Sequence, residues 1–201
     1  MLFKYPKLSK GFTLIETIVG IVVLSISFSI ITNLIYPTVE QSADQLHQIR
    51  AAELGQSLLN EITGHAFDEN SGRSGGRFRC NEDVNGNGTL ETIEQCTTIM
   101  GNEEGGDRTL FDDVDDYNGM NIENTRFGFS GPASDVFIKN SQGDSLTLYL
   151  GYSLKVMVCN DSNYDGVCGP SNNNYTAKLI TVTVTTPTGF AIDFSSYKAN
   201  F

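Results

Sequence analysis

Residues 12–35 have the sequence FTLIETIVGIVVLSISFSIITNLI, in which Glu16 is the only charged residue. A helix of about 20 apolar residues is long enough to cross the hydrocarbon core of a bilayer. This run of 24 residues therefore predicts a membrane-spanning helix. A carboxylate inside such a helix is costly, so Glu16 is a candidate functional residue. Its place near the start of the run also permits a location among the lipid headgroups.

A short basic segment precedes the apolar run, since residues 1–11 contain three lysines and no acid. A secretory signal peptide carries its cleavage site after its apolar core. Here the expected cut, between Gly11 and Phe12, lies before the apolar run, so the hydrophobic helix would stay in the processed chain. The amino group released at Phe12 is then the available positive partner for Glu16.

The sequence KGFTLIET at residues 10–17, followed by a long apolar helix, resembles the signature of type IV prepilins. The resemblance implies that a prepilin peptidase/methyltransferase cuts after Gly11 and N-methylates Phe12. It also implies that Glu16 pairs with the N-terminus of a neighbouring subunit during assembly. The implied partners are that enzyme, other pilin subunits and the inner-membrane assembly platform.

The chain as a whole is acidic, with 24 acidic and 13 basic residues and a net charge of −11. Outside residues 1–11, ten basic residues stand against 24 acidic ones, a net charge of −14. Binding to nucleic acid depends on clustered lysine and arginine, so this balance argues against it. A basic tip before an acidic remainder suits a single-pass inner-membrane protein whose head lies outside the membrane.

Four parts follow from the sequence pattern. We expect a cleaved leader at 1–11, the hydrophobic half of a long helix at 12–36, its amphipathic half at 37–64 and a globular head at 65–201. Gly64 is the predicted end of the helix. Apolar residues in the amphipathic half recur at helical spacing, which predicts a stripe packed on the head. These residues are Val39, Ala43, Leu46, Leu54, Leu58 and Ile62.

Strand-like patterns occur late in the chain. Residues 145–159, SLTLYLGYSLKVMVC, and residues 177–186, AKLITVTVTT, are rich in β-branched and aromatic residues, and the second run alternates strictly. A turn at 186–189 precedes FAIDFSSY at 190–197. The prediction is an α+β protein in which a long N-terminal helix packs on an antiparallel sheet, as in the type IV pilin fold.

The four cysteines form two close pairs in sequence, Cys80/Cys96 and Cys159/Cys168. Four cysteines allow three connectivities, of which pairing between neighbours is the simplest. Neither pair has zinc-site spacing, and no histidine lies near them. Export across the membrane would place them in an oxidising compartment, so two structural disulfides are expected.

Residues 83–94, DVNGNGTLETIE, match the twelve-residue calcium-loop pattern D-x-[DN]-x-[DN]-G-x5-E in full. Calcium takes six to eight oxygen ligands, and this spacing supplies them from one turn, with Gly88 permitting the bend. The alternative is a solvated Asn/Gly turn with coincidental acids. The predicted ligands are Asp83, Asn85, Asn87, the carbonyl of Thr89, Glu91 and Glu94.

A weaker pattern lies between the second pair of cysteines. Asp161, Asn163 and Asp165 occupy the first three ligand positions of a second candidate calcium loop, but Asn172 stands where the bidentate acid is expected. A disulfide-closed turn without metal explains the same residues.

Residues 111–119, FDDVDDYNG, form a third acidic segment. Four aspartates so close together repel one another, so a cation or full solvation is required to relieve them. Of the two, an exposed and solvated loop is the expectation favoured by the sequence.

The sequence contains no nucleophile elbow, phosphate loop or metalloprotease motif, so an enzyme is not expected.

Residues 50–70 and 111–120 resemble minor pilins of the mannose-sensitive haemagglutinin (MSHA) pilus, of the MshD type. The resemblance implies a low-abundance subunit for pilus biogenesis, with the head in the periplasm before assembly and at the cell surface afterwards. Two alternatives remain: a minor pseudopilin of a type II secretion system, and a pilus-tip adhesin head that binds a glycan or surface receptor.

Overall fold

The computed structural model describes residues 11–72, 78–123, 137–168 and 175–201. The chain divides into two compact units, Met1–Gln45 and Leu46–Phe201. Apart from short 3-10 helices, the regular elements within these described ranges are one long helix and a four-stranded sheet. They are α1 (Leu14–Gly64), β1 (Asn121–Ile122), β2 (Ser153–Asn160), β3 (Ala177–Thr185) and β4 (Ala191–Ala199).

The first part of α1 is apolar enough to cross a membrane. Leu14–Ile35 has a mean hydropathy of 2.4 over 22 residues, which corresponds to about 33 Å of helix. The hydroxyls of Ser25, Ser27 and Thr32 donate to backbone carbonyls one turn earlier, at 2.7–2.8 Å. These polar side chains therefore have hydrogen-bond partners within the helix, as a lipid environment requires.

The sheet is antiparallel throughout, in the order β1-β2-β3-β4. The strands predicted at 177–186 and 190–197 form β3 and β4, joined by a turn in which Gly189 has a φ of +86°. The strand predicted at 145–159 is wrong in its first half. Thr147–Tyr149 is a short 3-10 helix, and Gly151 has a φ of +86°, which ends the extended chain before Ser153.

The core of the second unit lies between the last five turns of α1 and one face of the sheet. Of the predicted helical stripe, Leu54, Leu58 and Ile62 are buried, whereas Ala43 and Leu46 are exposed. Alternate residues of β2 and β3 complete the core because successive side chains of a strand point to opposite faces. They are Leu154, Val156, Val158, Ile180, Val182 and Val184. The α+β, type IV pilin-like arrangement predicted from the sequence is therefore confirmed.

A glycine sets the distance between helix and sheet. A Cβ atom built on Gly55 would lie 2.4 Å from two ring carbons of Phe194 on β4. Such a distance is far below van der Waals contact, so the ring packs directly on the helix backbone. The aromatic side chain can occupy this position because residue 55 has no side chain.

We expect Gly55→Ala to destabilise the protein. Overpacking costs about 1–3 kcal/mol, and alanine regains about 0.5–1 kcal/mol in a helix interior, so the free energy of unfolding should fall by up to about 2.5 kcal/mol. Urea unfolding in detergent micelles, followed by tyrosine near-UV circular dichroism, measures the change. Gly64→Ala is the matched control, because its Cβ would meet nothing within 4 Å. Equal stabilities of the two variants would contradict the close approach.

Candidate functional site

The predicted cleavage point lies just before α1. Gly11, Phe12 and Thr13 precede the first helical residue, and Phe12 is 80% exposed. The Gly11–Phe12 bond is therefore outside regular structure and open to a protease. The rest of the predicted leader, residues 1–10, lies outside the described residues.

Glu16 takes part in a helix cap that the sequence analysis missed. Its Oε2 lies 3.5 Å from the backbone N of Thr13, and the Thr13 hydroxyl accepts the backbone N–H of Glu16 at 3.4 Å. This reciprocal pair is a capping box, for which the signal is Thr followed three residues later by Glu. Glu16 therefore has a local structural role in addition to the predicted pairing with an N-terminus.

Both disulfides form between sequence neighbours, as predicted: Cys80–Cys96 and Cys159–Cys168. The first encloses the predicted calcium loop and is buried against Phe67. Closing a loop of this size restricts the unfolded chain and stabilises the folded one by about 3 kcal/mol. The disulfide thus fixes the two ends of the loop close together.

The backbone of residues 83–88 wraps around the Asp83 carboxylate. Its Oδ1 accepts the N–H groups of Gly86 and Asn87, at 2.7 and 3.2 Å, and its Oδ2 accepts that of Gly88 at 2.7 Å. Gly86 and Gly88 have φ values of +71° and +83°, in the left-handed region that favours glycine. The two glycines therefore permit the sharp turn on which the motif depends.

Glu94 closes the other end of this loop. It is buried, with Oε1 accepting the N–H of Val84 at 3.1 Å and Oε2 accepting that of Glu91 at 3.0 Å. Oε1 of Glu91 lies 3.3 Å from the amide nitrogens of Asn85 and Asn87. These side chains turn toward one another, so the residues present fit an oxygen-lined cation loop. Calcium binding by them, and by the Thr89 carbonyl, stays a prediction.

The second candidate loop is held together by its own hydrogen bonds. The buried Asp161 carboxylate accepts the hydroxyl of Tyr197 at 2.7 Å and the N–H groups of Gly166 and Asp165 at 2.8 and 3.2 Å. Desolvation raises the pKa of Asp161, but these hydrogen bonds outweigh it and hold the pKa below its usual range. Asn163 donates to Asp165 at 2.8 Å, so all three predicted ligands have partners within the protein. Asn172 lies outside the described residues, and a metal here stays a prediction.

The third acidic segment is not the solvated loop that the sequence favoured. Asp113, Asp115 and Asp116 are at most 2% exposed. A buried cation explains part of this arrangement, because Nζ of Lys178 lies 2.7 Å from the Asp115 carboxylate and 3.3 Å from that of Asp68. Charged groups are buried at tolerable cost only when they are paired. The expectation of an exposed loop is therefore wrong.

The position of Lys178 in the sequence pattern of β3 is a signal for its burial. It shares the alternating face of β3 with Ile180, Val182 and Val184, which is the core-facing side, and it is fully buried. Its Nζ also donates to the carbonyl of Phe67 at 2.6 Å. A lysine in phase with the apolar residues of a strand indicates that a carboxylate partner will be buried beside it.

The ammonium group of Lys178 does not neutralise all the aspartates of this segment. Burial raises the pKa of Asp115 to about 6, against the lowering effect of Lys178. Burial and the neighbouring charges of Asp115 and Asp116 raise the pKa of Asp113 to about 8. The surplus of negative charge in this part of the head therefore favours protonation or a further cation.

Further polar contacts connect side chains at the end of α1 and just after it to the head. Arg108 donates two hydrogen bonds to the Glu61 carboxylate, at 2.7 and 3.0 Å, and the hydroxyl of Tyr117 donates to the same side chain at 2.8 Å. His65 lies 3.2 Å from the Tyr117 hydroxyl, and His47 lies 2.8 Å from that of Tyr152. Both histidines of α1 and its end are thus engaged in contacts with tyrosines of the head.

Comparison with known families matches residues 6–32 to the prokaryotic N-terminal methylation motif. The match includes Gly11, Phe12 and Glu16 and supports a type IV prepilin-like protein. It implies processing by a prepilin peptidase and assembly with other pilins, and it indicates a structural subunit rather than an enzyme. No curated protein and no solved structure matches the chain.

Replacing Lys178 with methionine should leave two carboxylates, Asp68 and Asp115, buried without their counter-ion. Removing one member of a buried ion pair costs about 3–5 kcal/mol, so the free energy of unfolding should fall by that amount. Urea unfolding of the Lys178→Met chain in micelles measures it. Lys155→Met, on the exposed side of β2, is the control and should change stability by no more than about 0.5 kcal/mol. Similar stabilities for both variants would rule out the pairing.

Proposed function

We propose that this chain is a minor pilin of an MSHA-type pilus. In this proposal the prepilin peptidase removes residues 1–11 and methylates Phe12, and α1 holds the subunit in the inner membrane with its head in the periplasm. The assembly platform then moves the subunit into the filament. The observation that carries the pilin role is the methylation motif at 6–32 running into a 22-residue apolar helix. The MSHA assignment within that role rests on the resemblance of residues 50–70 and 111–120 to minor pilins of that system.

Exposure of the apolar segment supports assembly through α1. Large side chains along Leu14–Ile35 are about half exposed or more, among them Leu24 at 70% and Leu34 at 68%. A continuous apolar surface of this length is stable only in lipid or against other apolar surfaces. Membrane lipid before assembly and the helices of neighbouring subunits afterwards provide those two environments.

The head contributes a stable, exported domain in this proposal. Two disulfides suit an oxidising compartment, and the loop at 83–94 would bind calcium at the concentrations found outside the cytoplasm. The ion would draw together the oxygens of Asp83 and Glu94, which stand at opposite ends of the loop. Calcium would thus stabilise a segment that has no regular structure beyond the short 3-10 helix Thr92–Glu94.

The assembly role of Glu16 is tested by two substitutions that separate its charge from its cap. Glutamine preserves a capping box, whereas alanine removes it, and neither carries the negative charge that forms an ion pair with an ammonium group. In a deletion strain, Glu16→Ala and Glu16→Gln should both be processed normally, by mass spectrometry for N-methyl-Phe12, and both should be impaired in incorporation into filaments. Normal incorporation of the glutamine variant would show that capping is the role of Glu16.

The same strain distinguishes the proposed pilin from the alternatives. Loss of filaments on deletion, restored by the wild-type gene, supports a biogenesis role. Normal filaments with lost protein secretion would instead indicate a pseudopilin, and normal filaments that fail to adhere would indicate an adhesin head.

Thr17→Ala, one position beyond Glu16, is the processing control for the Glu16 variants. The Thr17 hydroxyl bonds within its own helix, to the Leu14 carbonyl at 2.8 Å.

Calcium should stabilise the protein through the 83–94 loop. At 10 mM calcium and a Kd of about 0.1–1 mM, binding adds about 1.4–2.7 kcal/mol to the free energy of unfolding. Calorimetric melting of the full chain in micelles should show a higher Tm with calcium than with chelator. Glu94→Gln should lose a large part of this shift, whereas Glu53→Gln, on the exposed face of α1, should keep all of it. A full shift in the Glu94 variant would contradict calcium binding by the loop.

A further inference from the structure

A second group of acids lies apart from the 83–94 loop. Glu103, Glu104 and Asp116 each offer a carboxylate oxygen, and these oxygens lie within 4.8 Å of one another. Glu104 belongs to a further group of the same kind with Glu69 and Asp112. Five acids from three segments of the head therefore converge around one glutamate.

Basic partners for these acids do not appear among the described residues. The salt bridges found there use Arg108 for Glu61, and Lys178 for Asp68 and Asp115. Like charges held this close repel one another, the more so where solvent is excluded. The arrangement therefore calls for a positive charge or for protons.

Asp116 shows where a ligand would bind. Its side chain is 2% exposed, and its Oδ2 accepts the backbone N–H groups of Asp112 and Asp113 at 2.9 and 3.2 Å. Its Oδ1 is buried and accepts no hydrogen bond from an amide, hydroxyl or amine, and the same holds for Oε2 of Glu104. The side chains that Asp116 meets there are the carboxyl groups of Glu103 and Glu104. A buried carboxylate oxygen without a partner is costly, since it has lost its water and gained nothing in exchange. Both oxygens belong to residues of the group in which the carboxylates already converge.

The geometry and chemistry of the group match calcium. Ca²⁺ binds carboxylate oxygens at 2.3–2.6 Å, so two ligands on opposite sides of the ion lie about 4.6–5.2 Å apart. The oxygens of Glu103, Glu104 and Asp116 lie no more than 4.8 Å apart, so their separations do not exceed what one ion can bridge. Glu103 is exposed and Glu104 is half-buried, so water can complete the coordination from the solvent side.

We propose that Glu103, Glu104 and Asp116 form a calcium site, distinct from the 83–94 loop, that neutralises the surplus acids beside Lys178. The ion would connect the turn at residues 103–106 to the short 3-10 helix Asp115–Tyr117. It would also supply the cation that the dense aspartates of this segment require. This site is independent of the proposed pilin role and would exist in the isolated subunit.

The test is the isosteric substitution Asp116→Asn in the full chain in micelles. Its remaining oxygen can still accept the N–H groups of Asp112 and Asp113, so the fold is preserved, but the ligand charge is lost. Calorimetric titration with CaCl₂ should show about one bound ion fewer per chain than in the parent. In chelator the variant should melt above the parent because repulsion is relieved, and in calcium it should gain less than the parent does.

A matched set of variants separates this site from the other candidates. Glu94→Gln removes the 83–94 site alone, so the loss caused by Asp116→Asn should be the same in the wild-type and Glu94→Gln chains. Asp193→Asn, an exposed aspartate on β4, controls for the loss of one charge and should bind as much calcium as the parent. NaCl at equal ionic strength controls for screening.

Three results would overturn the calcium site. The first is equal calcium binding by the parent and by Asp116→Asn. The second is a rise in Tm that NaCl reproduces in full, which would mean that salt only screens the repulsion. The third is a stability that depends on pH but not on calcium in the parent chain, which would mean that Glu104 and Asp116 share a proton instead of an ion. Glu104→Gln should reproduce the calcium loss and confirms the assignment by a second ligand.

Discussion

An ammonium group held inside the head constrains how the rest of the second unit folds. Lys178 occupies a core-facing position of β3, where it cannot reach water, and burying it without partners would cost several kcal/mol. Asp68, just after α1, and Asp115, in a short 3-10 helix, both come to it. Three segments far apart in sequence therefore meet at one charge, and this contact turns the aspartate-rich segment inward.

Asp68 also contacts the chain next to the disulfide-closed loop. Its carboxylate accepts the backbone N–H and the hydroxyl of Thr97, at 3.0 and 2.6 Å, and Thr97 directly follows Cys96. The chain of contacts runs from Lys178 through Asp68 to Thr97, just beyond the disulfide that closes the 83–94 loop. One carboxylate thus connects the buried ion pair to the segment that leaves the loop.

Regular patterns allowed much of this structure to be predicted, and the exceptions have physical causes. The apolar run, the alternation of β3 and the cysteine spacing each depend on neighbours in sequence, and the helix, the strand and the two disulfides predicted from them are present in the structure. The prediction for the acidic segment is wrong because local composition favours solvation, whereas the burial of the segment depends on Lys178, some sixty residues away. The strand at 145–159 was overextended because Gly151 adopts a positive φ that β-propensity does not reveal. The convergence of Glu103 and Glu104 on Asp116 is likewise a tertiary contact.

The proposed cleavage before Phe12 would change the charge at the capped start of α1. Glu16 lies by Thr13 at the positive end of the helix dipole, where a single carboxylate balances the free backbone N–H groups. Cutting the bond before Phe12 would replace a neutral amide with an ammonium group at this same end. Cleavage would thereby change the charge balance at the start of the helix. The Glu16 carboxylate would then face two positive groups, the helix dipole and the new ammonium group, instead of the dipole alone. A subunit in that state would carry an uncompensated positive charge at the start of α1, and the same glutamate of a neighbouring copy would compensate it.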